Sequence, residues 1–201
     1  MEFPKTLIKR NGYIERIKPF MRKNIAKVLT GQRRVGKSFL LYQLMDQLLV
    51  EEPDANIIYI NFEDFAFSHI QTAEDMHAYI MSKFRKEKYN YIFVDEIQEI
   101  VNFERVIRSL LLNENNDIYI TGSNAKMLSG ELATYLSGRY IEFSVYSLSY
   151  LEFLAFHKLE NNNESLYLYS RYGGLPYLIN LPLKDETVNE YLKSEIGRAH
   201  V

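Results

Sequence analysis

Gly31-Gln32-Arg33-Arg34-Val35-Gly36-Lys37-Ser38 has the spacing G-x-x-x-x-G-K-[ST], and its reading decides the fold. A triphosphate needs several converging N–H donors. A loop can aim them only if two positions accept unusual backbone angles and close approach, which Gly31 and Gly36 supply. Lys37 reaches the β- and γ-phosphates as a mobile point charge. The Ser38 hydroxyl is placed to ligate Mg²⁺, and a following helix directs its N-terminal dipole at the phosphates. Nucleotide contacts are therefore expected at Gly31, Gln32, Arg33, Arg34, Val35, Gly36, Lys37, Ser38 and Phe39.

Working outward, residues 25–30 (IAKVLT) read as a strand leading into the loop, and residues 38–50 (SFLLYQLMDQLLV) have helical apolar spacing. Pro53-Asp54 marks a turn, residues 56–61 (NIIYIN) a strand, and residues 72–85 a helix with Thr72 as N-cap. Residues 89–95 (YNYIFVD) are a buried-type strand, 103–112 a helix, 117–121 a strand, 125–136 a helix and 140–143 a fifth strand. Such alternation predicts an α/β fold, a parallel sheet flanked by helices on both faces. The pattern changes near Val145, so residues 1–145 are expected to form a nucleotide-binding domain. Residues 146–194 then form a helical lid or the start of a second domain.

Tyr91-Ile92-Phe93-Val94-Asp95-Glu96 is an apolar run closed by two acids. A buried strand ending in Asp puts that carboxylate at the sheet's carboxyl edge. Asp95 is thus expected to hold Mg²⁺ with Ser38, and Glu96 to act as general base on the attacking water. Gln98 is either a positioner of Glu96 or simple polar packing. Thr121-Gly122-Ser123-Asn124 ends the next strand. Asn124 is the candidate for sensing the γ-phosphate or the water, with Ser123 and Thr121 behind it; a plain helix N-cap at Asn124 is the alternative. Arg139 is read either as an arginine finger, from its own chain or a neighbour, or as a structural ion-pair partner.

Composition bounds the rest. The chain has 201 residues, 47% of them hydrophobic and 25% charged, which fits a folded globular protein. The absence of cysteine excludes disulfides and thiolate chemistry and fits a cytoplasmic setting. No apolar run reaches membrane-helix length, so no membrane partner is expected. Net charge is -2. Residues 1–40 nevertheless carry eleven Lys and Arg against two acids, while the other 161 carry 13 basic and 24 acidic residues. The basic stretch from Lys5 to Lys27 raises a DNA-associated alternative. The four histidines share no metal-ligand spacing, and the 16 tyrosines and 12 phenylalanines sit mostly at core-like positions. Residues 195–201 (EIGRAHV) back-translate as GAG ATC GGA AGA GCA CAC GTC, which resembles the start of a sequencing adapter. They are expected to be a non-native tail on a truncated chain.

GQRRVGKS, YIFVDEIQEI, YITGSNAKMLSGELATYLSGRY and YSLSYLEFL, in that order, resemble the prokaryotic AAA+-type P-loop ATPases of the AAA-domain family. The resemblance implies a sheet of order 5-1-4-3-2, puts Asp95 and Glu96 in the second nucleotide motif and Ser123-Asn124 in the sensor motif, and implies a C-terminal domain to follow. The resulting expectation is a Mg²⁺-dependent ATPase acting as a conformational switch, as a homo-oligomer or with a DNA or protein partner chosen by that further domain. A DNA-associated motor and a non-hydrolysing nucleotide-binding module are the alternatives. ATP is preferred to GTP because no [NT]KxD motif follows the fourth strand.

Overall fold

The computed structural model describes residues 7–123, 136 and 138–196. The chain divides into two compact units, one of Met1–Arg33 with Lys37–Val145, the other of Arg34–Gly36 with Tyr146–Val201. In the first unit, helix α1 (Asn11–Ile17) precedes β1 (Ala26–Thr30), α2 (Lys37–Glu51), β2 (Asn56–Asn61), α3 (Ala73–Ser82), β3 (Asn90–Asp95), α4 (Phe103–Leu110), β4 (Asn116–Gly122) and β5 (Tyr140–Ser144). The helix expected over 125–136, and the side chain of Asn124, lie outside the described residues apart from buried Leu136.

All five strands are parallel, in the order β2-β3-β4-β1-β5. This is the order the family resemblance implied. Strand periodicity alone could not supply it, because β1, β3 and β4 are each buried along their whole length and read the same in any central position. β1 sits where the topology reverses: the chain leaves it for the β2 side, while β5 pairs on its other edge. Ligands of open parallel sheets bind beyond the strands' carboxyl ends at such a point.

The register separates the two faces. Ala26, Val28, Ile58, Ile60, Ile92, Val94, Ile118 and Ile120 form an aliphatic face covered by Met76 and Ile80 of α3 and by Phe103, Val106, Ile107 and Leu110 of α4. The opposite face is aromatic and polar. Phe93 and Tyr119, paired across β3 and β4, stack at 4.5 Å between centroids. Lys27, Tyr91 and Asp117 occupy this face at its amino end, Asp95 and Thr121 at its carboxyl end. α2 serves it: Tyr42 shares a hydrogen bond with Tyr59 at 3.1 Å, and Tyr91 donates to Glu52, just past the helix, at 2.8 Å.

Three helix boundaries show local and tertiary control. Thr72 caps α3 in a reciprocal capping box with Asp75, as its position predicts. The same helix stops at Ser82 instead of reaching Arg85. Asn90 bonds the backbone N–H and C=O of Arg85, and Asn56 donates to Lys83 O, so buried asparagines take backbone groups that a longer helix would use. α4 ends at Leu110, whose carbonyl accepts from Asn116 Nδ2.

In the second unit, α5 (Tyr150–His157), α6 (Asn163–Tyr172) and α7 (Asp185–Ile196) surround a 3₁₀ turn at Pro176–Asn180. Tyr172, Leu178 and Val188 form its small core. Ser149 and Asn162 cap α5 and α6. Gly173 ends α6 at φ +75. Gly174 lies against the chain: its carbonyl accepts from Leu148 N at 2.7 Å, and a Cβ there would sit 2.2 Å from Leu148 O. Arg171 and Tyr172 both bond Asp185, joining the end of α6 to the start of α7. Of the expected tail, Glu195 and Ile196 complete α7, and the rest lies outside the described residues.

Candidate functional site

The loop leaves β1 at Thr30 and enters α2 at Lys37. Gly31, Arg34 and Gly36 have φ of 145, 64 and 95. The two glycines take such angles without Cβ strain. Val35 is buried. Arg33 points to solvent in a loose 3.9 Å ion pair with Glu63, and Phe39 is 47% exposed and edge-on to Tyr42. Arg34 belongs to the second unit, where it donates to the Tyr191 hydroxyl at 3.2 Å.

Lys37 is 4% exposed. Its ammonium donates to the carbonyls of Gly31 and Gln32, each at 3.0 Å, and lies 3.8 Å from Glu96 Oε1. Burial pulls its pKa down, and the charges of Glu96 and Asp95 oppose that. It is thus an electrostatically restrained cation whose present partners are two backbone carbonyls that an incoming anion can replace.

Asp95 ends β3 and is 1% exposed. Burial raises its pKa; hydrogen bonds from the Ser38 and Thr121 hydroxyls pull the other way, the Glu96 charge adds to the rise and the Lys37 charge opposes it. Thr121 bridges the two acids: its hydroxyl donates to Asp95 Oδ1 and accepts from the Glu96 backbone N–H at 3.1 Å. The Tyr59 hydroxyl approaches Asp95 Oδ2 at 3.5 Å.

Glu96 adopts φ 52, ψ 49, a left-handed conformation that a side chain other than glycine rarely takes. The strand stops there and the carboxylate turns away from Asp95's position in the pleat. Its Oε2 accepts from Ser123 Oγ at 2.7 Å and from Gln98 Nε2. Gln98 is thereby in contact with Glu96, and Ser123 and Thr121, the second choices of the third constellation, each bond a carboxylate group of the site. Asn124 lies outside the described residues. Tyr59 was not singled out in the sequence; only the β2–β3 register, Asn61 beside Asp95, puts it on the Asp95 face.

Arg139 lies elsewhere in the chain. It precedes Tyr140, which pairs with Ala26, the first residue of β1, whereas the loop follows Thr30, the last. A whole strand, about 15 Å, separates them. The structure brings Lys37, Ser38, Asp95, Glu96, Thr121 and Ser123 together and leaves Arg139 at the other edge.

The donor set fits the expected ligands. Ser38 and Asp95 offer hard oxygens suited to Mg²⁺, which is usually bound by one or two protein oxygens plus phosphate and water. No cluster of three or more His, Asp or Glu that could hold a metal occurs among the described residues. No helix among them is long and apolar enough to cross a membrane.

Residues 23–154 match the family model described as "AAA domain". An uncharacterized protein of Haemophilus influenzae is 38% identical over 198 residues, covering 96% of this chain and 49% of its own length. An uncharacterized protein of Methanocaldococcus jannaschii is 31% identical over 184 residues, covering 84% of this chain and 40% of its own. The chain thus spans about half the length of these relatives or less. Among solved structures, AMPPCP-bound DnaA from Aquifex aeolicus superposes with a TM-score of 0.56 at 15% identity, over 87% of this chain and 61% of that one, a likeness of fold. With the family model spanning both nucleotide motifs on a matching fold, this chain belongs to the AAA domain family and is an AAA+-type P-loop ATPase domain.

Proposed function

We propose that this domain binds ATP with Mg²⁺ on the Gly31–Ser38 loop, hydrolyses it, and uses the cycle as a conformational switch. The observation that carries the reading is the pair of buried acids at the end of β3, which one threonine holds in different roles. Asp95 faces the Ser38 hydroxyl, while Glu96 is turned out on a left-handed residue and fixed by Ser123 and Gln98. When bound, Mg²⁺ would neutralise phosphate charge and be held by Ser38 and Asp95. Lys37 exchanges the Gly31 and Gln32 carbonyls for phosphate oxygens. Glu96, its Oε2 held by two donors, keeps Oε1 to orient water and accept its proton. Asn124 is the proposed γ-phosphate sensor. Arg139, a strand's length away, could reach a phosphate only in a neighbouring copy.

The DNA-associated alternative rests on the basic N-terminal segment, where Lys9, Arg16, Lys18 and Lys23 are exposed but part of the charge is internal. Arg10 and Lys27 are buried, and Arg22 is bonded to Tyr91 and Glu52. A non-hydrolysing module leaves the strained, doubly bonded Glu96 without a task. Lys37→Ala should abolish ATP binding in equilibrium dialysis, and Glu96→Gln should bind ATP but lose turnover by about 10²- to 10⁴-fold. Undiminished hydrolysis by Glu96→Gln would refute the assignment.

A further inference from the structure

A groove in the first unit, away from the loop, is lined by Arg105, Arg108, Ser109, Leu112 and Arg139 and encloses about 340 Å³. It adjoins a cleft of about 540 Å³ between α3 and α4, shares Arg105 and Ser109 with it, and there meets His77, Val101 and Glu74. None of the three arginines has an ion-pair partner among the described residues. Three exposed arginines elsewhere are paired, Arg22 with Glu52, Arg33 with Glu63 and Arg171 with Asp185, while Arg16 and Arg85, each without an ion pair among the described residues, stand apart from other arginines in the sequence rather than sharing one groove. The groove therefore concentrates uncompensated positive charge.

Arg105 and Arg108, three apart in α4, share one side of the helix, and the two clefts set Val101, before the left-handed Asn102, and Leu112, past the helix end, beside them. This side faces out: Val101 is 77% and Leu112 76% exposed, while Phe103, Val106, Ile107 and Leu110 occupy the buried side. The stripe is apolar at both ends and cationic between.

We propose that this stripe is a docking groove for an acidic peptide segment of a protein partner, one in which Asp or Glu alternates with leucine-like residues. Carboxylates would pair bidentately with the guanidinium forks, and the aliphatic side chains would cover Val101 and Leu112. A nucleic-acid backbone satisfies the cations but leaves both aliphatic residues uncovered, and among the described lining residues there is no Phe, Tyr or Trp, His77 of the adjoining cleft being the one ring a base could stack on. Glu74, in the adjoining cleft, limits how far an acidic stretch can extend.

The test is fluorescence anisotropy on the whole chain without nucleotide, using a short labelled peptide of alternating Asp/Glu and Leu. It is therefore independent of whether Glu96 supports turnover. Saturable binding is expected, weakened about tenfold or more by Arg105→Glu/Arg108→Glu and measurably by Leu112→Ser, with melting temperature and ATP turnover unchanged. The single Arg108→Gln variant, expected to weaken binding in the same direction, replaces the double reversal if that fails to fold. Equal binding by the arginine variants overturns the proposal. So does equal or tighter binding of a leucine-free acidic peptide or a single-stranded oligonucleotide. Sedimentation showing that the arginine variants dissolve a self-associated form would assign the groove to a second copy and overturn it as well.

Discussion

Lys27→Met probes the buried charge that holds the basic N-terminal segment to the sheet. Lys27 is wholly buried in β1; its ammonium bonds Asp117 of β4 and the Ile25 carbonyl at 2.8 Å, and lies 4.7 Å from the centre of the Tyr119 ring. Burial lowers its pKa, and the Asp117 carboxylate offsets only part of that. Methionine keeps most of the apolar stem, so the loss is chiefly electrostatic. Removing one partner of a buried pair generally costs about 3–5 kcal/mol, because the other charge is left uncompensated. Asp117 keeps two donors, the Tyr119 hydroxyl and the Arg22 backbone N–H, both at 2.8 Å, which places the cost near the lower end, about 3 kcal/mol. With a urea slope of about 2 kcal/mol/M, the midpoint of a circular-dichroism titration should fall by about 1.5 M. Lys27→Met/Asp117→Asn removes the stranded charge while keeping an acceptor for both donors, so it should be more stable than Lys27→Met. A loss below about 1 kcal/mol for the single variant, or additive losses in the double, would refute the view that this pair is a desolvated, mutually dependent unit.

Asp95→Asn should raise the melting temperature of the nucleotide-free chain while weakening Mg²⁺-dependent ATP binding. Because the folded chain raises the Asp95 pKa, the stability it favours is complete below the ordinary carboxylate value and is lost as pH rises through the raised one. The variant's advantage over wild type should therefore grow on going from acid to neutral pH, and a flat difference contradicts it. Thr72→Ala should cost about 1 kcal/mol in chemical denaturation by removing the α3 cap. Its partner Asp75 has a lowered pKa from the Thr72 hydroxyl and nearby backbone N–H bonds, so the contribution of the capping box is present at neutral pH and disappears as pH falls through that lowered value. Gly174→Ala should destabilise the second unit by about 3 kcal/mol or more, seen as protease sensitivity confined to residues after Val145, since its Cβ meets the Leu148 carbonyl at 2.2 Å.

Five strands and the helices α2, α3 and α4 were legible because their signals are local: apolar runs of strand length, helical spacing and a capping threonine; α1, with no side-chain cap, was not. Where a helix end depended on a distant asparagine, as at Ser82 and Leu110, spacing overshot. The loop and Asp95-Glu96 were also legible, since the chemistry of a triphosphate dictates residue types at fixed intervals in one segment. Gln98 as a partner of Glu96 was one of two readings, two residues along the chain; Tyr59's approach to Asp95, Thr121 as a bridge and Ser123's bond to Glu96 were not legible, because each joins residues on or just past different strands. Formal charge likewise counts Lys27 as available to a polyanion, while β4 brings Asp117 to it inside the sheet. What this sequence determined by itself is a phosphate loop, two acids and the alternation of strands and helices. Strand order and register decided which polar groups meet, because hydrogen bonds and ion pairs act over a few ångströms that only folding can close.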